Sequence, residues 1–184
     1  MLFISVPVRT GGTLVQIVSQ SGTRTNFVGG GHPVVNDDGS PICYWVEGAF
    51  KFSSGYEIPR TFAGDIGFCP GRDYFFHYDS TNSRAVFRTH APDKPLFRLP
   101  QNFWPQAIFV STNDIYLFGH KDAPDPNRLG PAWGLVYAKK EAGFRIEKEI
   151  DLSAFSGVAD MDPSRGMLIV RGGFCVSWDT SARR

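Results

Sequence analysis

Polar and apolar residues alternate along many short segments of the chain. Between residues 144 and 152, Phe144, Ile146, Ile150 and Leu152 fall on one side, and charged residues occupy most positions between them. A repeat of two residues is typical of a β-strand with one buried face. Similar short segments, bounded by Gly, Ser, Asn or Asp turn residues, occur at 14–18, 49–52 and 85–88. No segment combines a helical period with helix caps, so the pattern predicts an all-β protein.

A larger unit recurs along the chain. A short strand, a tight polar turn and an aromatic-rich strand follow one another in units that begin near Val34, Ile66, Ile108 and Val158. A third strand follows in each unit, and a fourth follows in the middle units. The spacing of roughly 35 to 50 residues, with about four strands per unit, is typical of propeller blades.

This recurrence resembles the β-propeller superfamily, in which each blade is a four-stranded antiparallel sheet. The segment Ser177-Trp178-Asp179-Thr180 is similar to the end of a WD-type blade, but the Gly-His dipeptides at 31–32 and 119–120 depart from the WD spacing. The resemblance extends from about residue 29 to 179. It implies a single all-β domain over residues 1–184, with blades at about 29–60, 61–100, 101–153 and 154–180.

The number of strands leaves the closure of the ring open. With the N-terminal strands in 2–28, the pattern predicts about eighteen strands, or four to five blades, whereas closed propellers carry four to eight. The N-terminal strands could complete the ring or form an extra partial blade. Alternatively, two chains could pair, or another chain could supply missing blades. A β-sandwich or barrel remains the alternative fold.

Composition and charge narrow the class of partner. The chain has 184 residues, of which 42% are hydrophobic, with 16 Phe, 20 Gly and 13 Pro, enough for one packed domain rich in turns. The 19 basic and 18 acidic residues nearly balance, and no basic run exceeds two residues, which disfavours a nucleic-acid partner. No apolar stretch is long enough to span a bilayer, which disfavours a membrane partner.

The three cysteines favour a reducing compartment. Cys43, Cys69 and Cys175 lie in apolar runs, and none belongs to a CxxC pair. Their odd number and wide spacing suit neither a disulfide framework nor a zinc site. We therefore expect buried free thiols and a cytoplasmic protein.

No sequence motif identifies a catalytic centre. The chain lacks the GxSxG elbow, the HExxH helix and the phosphate-binding loop, and no GxGxxG motif opens a helix. We therefore expect no enzyme activity, no cofactor and no metal.

The propeller resemblance nevertheless implies one face on which ligands commonly bind. Connections that lead into the inner strands would supply His32, Asp65, Gln106 and Asp160 to this face. A histidine beside two carboxylates could act as acid and base or hold a divalent cation, which makes His32, Asp65 and Asp160 the catalytic candidates. The simpler interpretation is that these side chains satisfy backbone groups in turns.

Two aromatic segments are further candidates for ligand binding. The longest irregular segment, 120–133, contains His120, Asp122, Asp125 and Trp133, and its three prolines limit the entropy lost on binding. The second segment, 102–105, contains Trp104. Ordered packing of these segments is the simpler interpretation of both.

Two functions of different classes follow from these features. We expect a non-enzymatic interaction module that binds a protein partner through its loops, with self-association as one way to complete the ring. The alternative is a carbohydrate-binding or glycoside-hydrolase-like propeller domain, with Asp65 and Asp160 as the carboxylate pair and Trp104 and Trp133 as sugar platforms. A third interpretation is a fragment of a larger enzyme without activity of its own.

Overall fold

The described part of the chain is built from β-strands alone. The computed structural model describes residues 2–7, 13–18, 24–28, 34–35, 41–46, 49–59, 66–78, 84–122, 130–155, 157–162, 167–170 and 174–177. Eighteen strands form five antiparallel sheets, of which three have four strands and two have three. The prediction of an all-β fold built from small antiparallel sheets is confirmed. Among the described residues, no helix is long and apolar enough to span a membrane.

Each sheet contains strands that are consecutive in the chain. The first sheet holds β1 (Leu2–Pro7), β2 (Thr13–Val18) and β3 (Arg24–Val28), and the second holds β4 (Val34–Val35), β5 (Pro41–Val46), β6 (Ala49–Phe52) and β7 (Glu57–Pro59). The third holds β8 (Ile66–Phe68), β9 (Tyr74–Tyr78), β10 (Arg84–Arg88) and β11 (Ala91–Arg98). The fourth holds β12 (Phe103–Val110), β13 (Asp114–Lys121), β14 (Ala132–Lys140) and β15 (Gly143–Asp151). The fifth holds β16 (Val158–Asp162), β17 (Met167–Val170) and β18 (Phe174–Ser177).

The chain divides into two compact units. Unit 1 contains residues 1–63 and 89–93, and unit 2 contains residues 64–88 and 94–184. In unit 1, Cys43 of β5 lies opposite Phe52 of β6, and both side chains are buried. Most of the described side chains belong to unit 2, and so does the candidate site.

In unit 2, the sheet β12–β15 is apolar on both faces because successive residues of its central strands enter different clusters. Leu117 and Leu135 pack with Phe76 and Val86 of the third sheet. Phe118 packs with Leu168 and other residues of the fifth sheet. A strand that is buried on both faces needs a neighbouring layer on each side to cover it. The apolar composition of these strands therefore fixes the sheet between two others.

The first strand of this sheet is longer than the sequence predicts. The sequence pattern predicts a strand that begins near Ile108 and places Gln106 in the connection before it. Instead, β12 starts at Phe103, and its pairing with β13 shifts register between Pro105 and Ala107. This irregularity and the edge position of β12 explain how the strand accommodates Pro105, which cannot donate a ladder hydrogen bond. The prediction that Gln106 and Asp160 lie in loops is wrong, because Asp160 lies within β16.

Candidate ligand-binding site

Several of the predicted residues meet at one end of the sheet β12–β15. In an antiparallel meander, the start of one strand lies beside the end of the next. Trp104, near the start of β12, pairs with His120 at the end of β13. Trp133, at the start of β14, pairs with Gly119 on one side and with Asp151 on the other. The register thus places Trp104 and His120 on one face at this end of the sheet and Trp133, the partner of Gly119, on the other face.

Trp133 is held by the ion pair of Lys121 and Glu149. We call these three residues the Trp133 cluster. The Nε1–H of Trp133 donates to Oε2 of Glu149 at 2.9 Å, and Nζ of Lys121 donates to the same oxygen at 2.8 Å. The Lys121 ammonium also lies 4.5 Å from the centre of the Trp133 ring. Hydrogen bonding to Lys121 lowers the pKa of Glu149, and the same bond raises the pKa of Lys121. One face of the half-buried indole is therefore covered by a cation.

Trp104 lies in a second group, the Trp104 cluster, which consists of Tyr78, Arg84 and Trp104. The Cζ atom of Arg84 lies 3.6 Å from the centre of the Trp104 ring, within the range of a cation–π contact. The Tyr78 ring meets Trp104 edge-on, with ring centres 5.6 Å apart. Nη1 of Arg84 donates to the carbonyl oxygen of Gln101. The start of β10 and the start of β12 are therefore joined around one indole ring.

Arg84 is a buried cation. Only 4% of the residue is exposed, and its Nε–H has no hydrogen-bond partner within the described part of the chain. Burial lowers the pKa of the guanidinium, an effect that the neighbouring Tyr78 opposes. No ion pair joins Arg84 to a carboxylate of the described residues, in contrast to Lys51, Lys121 and Lys140, which each pair with a glutamate. Sequence reasoning did not select Arg84, because a charged residue at the start of a strand is usually exposed.

His120 is also buried and incompletely hydrogen-bonded. Its Nδ1 lies 2.6 Å from the carbonyl oxygen of Gly130 and must donate, since a carbonyl can only accept. In the neutral imidazole, Nε2 is then a hydrogen-bond acceptor. This buried atom has no partner among the residues that the structure describes. His120, which the sequence assigned to an irregular segment, is thus a strand residue with an open acceptor.

Hydrogen bonds anchor both ends of the connection between β13 and β14. The backbone N–H of Asp122 donates to the carbonyl oxygen of Asn102 at 2.7 Å, and Nδ2 of Asn102 donates to Oδ1 of Asp122 at 2.7 Å. Asp122 adopts a φ of 54°, in the left-handed region, and this pair of bonds holds it there. The N–H of Lys121 donates to the carbonyl oxygen of Pro131 at 3.0 Å. Asp125 lies outside the described residues.

The structure describes only two of the four residues that the propeller resemblance places on one ligand-binding face. His32 and Asp65 lie outside the described residues. Gln106 is exposed on β12, and Asp160 is exposed on β16, where its Oδ1 accepts the N–H of Met161 at 2.7 Å. The carboxylate of Asp160 thus satisfies a backbone group, as the simpler interpretation of the sequence expects. Convergence of these four residues on one pocket stays a prediction.

The end of β12 that is remote from Trp104 borders a cavity. A cleft of about 290 Å³ lies there, lined by the turn from Cys69 to Tyr74 together with Phe109, Val110 and Met161. Burial raises the pKa of the Cys69 thiol and so disfavours the nucleophilic thiolate. Within the described ranges, no three His, Cys, Asp or Glu residues are grouped to hold a metal ion.

The comparisons with known proteins add no family. No family model, curated protein or solved structure matches the chain.

Proposed function

We propose that the protein is a non-enzymatic interaction module of the propeller-like type that binds a protein partner through the connection between β13 and β14. The observation that carries this proposal is the anchoring of that connection at both ends, by the Asn102–Asp122 pair and by the bond from His120 to Gly130. A connection that is fixed at its base loses less conformational entropy when a partner binds. Trp133 stands beside it, and tryptophan is enriched among residues that contribute strongly to protein interfaces.

Two further features of the expected module belong to this proposal. Among the described residues, the fifth sheet has three strands where three of the other sheets have four. This difference supports ring completion by self-association or by the partner, because an uncovered sheet edge favours pairing with another chain. A cytoplasmic location is also part of the proposal, and the buried free thiols of Cys43 and Cys69 support it.

Site-specific cross-linking tests the binding surface. A photo-reactive amino acid at position 122 lies on this surface, whereas the same group at position 141 lies in the exposed turn at the other end of β14. We expect a discrete cross-linked protein from position 122 in source-cell lysate and none from position 141. The identified protein, once purified, should bind the wild-type chain and lose binding when residues 123–129 are replaced by a short glycine turn. Equal cross-linking from both positions would contradict the proposal.

The carbohydrate alternative receives less support from the same residues. A sugar ring stacks on a free aromatic face, but Lys121 already covers one face of Trp133 and Arg84 covers one face of Trp104. Asp160 is engaged with a backbone N–H. A glycan array on which the wild-type chain binds a sugar, and the Trp133→Ala variant does not, would favour this alternative over the protein partner.

A further inference from the structure

The Trp104 cluster has a charge that the described protein does not neutralise. Arg84 is 4% exposed, and its guanidinium lies on the Trp104 ring at 3.6 Å. An arginine remains protonated inside a protein, so this site holds a full positive charge. Moving a charge out of water without a partner is unfavourable, and a cation–π contact offsets only part of that cost. The arrangement is therefore costly when nothing negative is bound.

The hydrogen bonding of Arg84 indicates the shape of the missing partner. Nη1 is already used by the carbonyl of Gln101, and the Trp104 ring covers one face of the guanidinium. The Nε–H, which points along the other edge, has no partner within the described ranges. Carboxylates bind arginine along such an edge through two parallel hydrogen bonds. A single carbonyl oxygen would satisfy the donor but would not neutralise the charge.

From this geometry we infer that Arg84 is a binding site for a carboxylate group that a ligand supplies. The carboxylate accepts from the Nε edge of the guanidinium, while Trp104 and the Gln101 carbonyl hold the guanidinium in place. This inference deepens the proposed function, on which it rests for the source of the carboxylate: an Asp, a Glu or the C-terminus of the protein partner. Trp104 lies in register with His120. His120 therefore lies on the strand next to Trp104, at the same end of the sheet.

The first test is titration of the full chain with defined carboxylates. The probes are succinate and a short peptide with one central Glu, with succinamide and the matching Gln peptide as neutral controls. The readouts are the Nε–H resonance of Arg84 and the Nε1–H resonance of Trp104. We expect both resonances to shift with the carboxylate probes alone, and the Arg84→Gln variant to lose affinity about tenfold or more. An equal response to the neutral probes, or no shift with either carboxylate, overturns the inference.

A matched variant separates this effect from net charge. Arg145 is exposed near the start of β15, at the other end of the sheet, so Arg145→Gln removes the same charge away from the site. We expect Arg145→Gln to keep the wild-type affinity for succinate. Equal losses in the two variants would show a general charge effect and would contradict a site at Arg84.

Stability provides a readout that a purely structural arginine would not give. Replacing a buried unpaired charge by an apolar side chain of similar length is often neutral or stabilising. We therefore expect Arg84→Met to unfold at the wild-type temperature or above it without ligand, and to lose the stabilisation that succinate gives the wild type. A variant that is strongly destabilised, together with a wild type that succinate does not stabilise, would identify Arg84 as structural.

Asp79 requires a control of its own, because it directly follows Tyr78 in the sequence and lies outside the described residues. If Asp79 neutralised Arg84 internally, succinate would stabilise the Asp79→Asn variant and leave the wild type unchanged, which overturns the inference.

Different results contradict the proposed protein partner and the carboxylate site at Arg84. A carboxylate response without a cross-linked partner contradicts the protein partner and leaves the Arg84 site. A cross-linked partner without a carboxylate response contradicts the Arg84 site and leaves the protein partner.

Discussion

Gly119 is the position at which the structure predicts the sharpest effect of a single added methyl group. It lies in β13 opposite Pro105, where the register of β12 shifts. A Cβ atom at Gly119 would overlap the carbonyl oxygen of Trp104 and would lie 2.8 Å from its carbonyl carbon and 2.9 Å from Cα of Pro105. All three atoms belong to the backbone, so no side-chain rotation can relieve the overlap.

The size of the effect follows from the movement that Gly119→Ala requires. Ordinary contacts of a Cβ atom begin at 3.4 Å, so β12 must move by at least 0.5 Å (3.4 minus 2.9) to clear Pro105, and by more to clear the Trp104 carbonyl. Forcing a methyl group into a packed site costs about 1 to 3 kcal/mol. Each backbone hydrogen bond lost from the ladder adds about 1 kcal/mol. We expect the free energy of unfolding to fall by about 3 kcal/mol, which lowers the melting temperature by about 6 to 12 °C for a chain of this size.

Urea unfolding followed by tryptophan fluorescence measures this loss as a lower midpoint with an unchanged slope. Gly71→Ala is the matched control, because the nearest atom to its added methyl group would be Oδ2 of Asp73, at an ordinary 3.9 Å. We expect this control to stay within about 0.5 kcal/mol of the wild type. A Gly119→Ala protein as stable as the control would refute the close approach of β12 and β13.

Two other predictions concern groups that titrate. Burial raises the pKa of the Cys43 thiol to about 12 and also raises that of Cys69, so neither thiol of a Cys175→Ser variant should react with a thiol reagent at pH 8 until the protein unfolds; fast labelling of the native protein would contradict this. The Cys43 thiol has a higher pKa in the folded chain than its unfolded value of 9.0, so its contribution to stability is fully present only below pH 9.0. The free energy of unfolding should therefore fall as the pH rises from 9.0 toward 12. Glu149 has a lowered pKa, so its contribution is present above the unfolded value of 4.5 and is lost as the pH falls through the folded value. Glu149→Gln should mimic this loss and shift the Trp133 indole N–H resonance, whereas Glu147→Gln, which removes the partner of Lys140, should not.

Much of the fold could be predicted from the sequence because strand formation has a local signal. Alternation in 144–152 predicted a strand, and the structure shows this segment as β15, paired with β14. The start of β12 could not be predicted in the same way. Pro105 cannot donate a ladder hydrogen bond, so the local signal excluded it from a strand. The edge position and the register shift that permit it depend on β13, which lies farther along the chain.

Some residues of the candidate site could likewise be predicted from local sequence, and others depend on residues far along the chain. His120 and Trp133 could be selected because they bound a long irregular segment, which is a property of the sequence. Arg84 could not be selected, because its importance depends on the Trp104 ring, which is 20 residues away and belongs to another sheet. No periodicity or motif in the sequence predicts that an arginine at the end of a strand will be buried under such a ring. The signal that could have found it is the combination of a basic residue and a tryptophan at strand ends that share one edge.

The close backbone approach at Gly119 and the buried charge at Arg84 meet at the same residue, Trp104. The register shift in β12 sets the position of Trp104, and the absence of a side chain at Gly119 lets the Trp104 backbone approach β13 closely. In that position the ring lies over Arg84 at 3.6 Å and beside Tyr78. A sheet selected for stability alone would favour regular pairing and an exposed or paired arginine. The irregular pairing and the buried charge meet at one indole, which is the arrangement that the proposed carboxylate site at Arg84 requires.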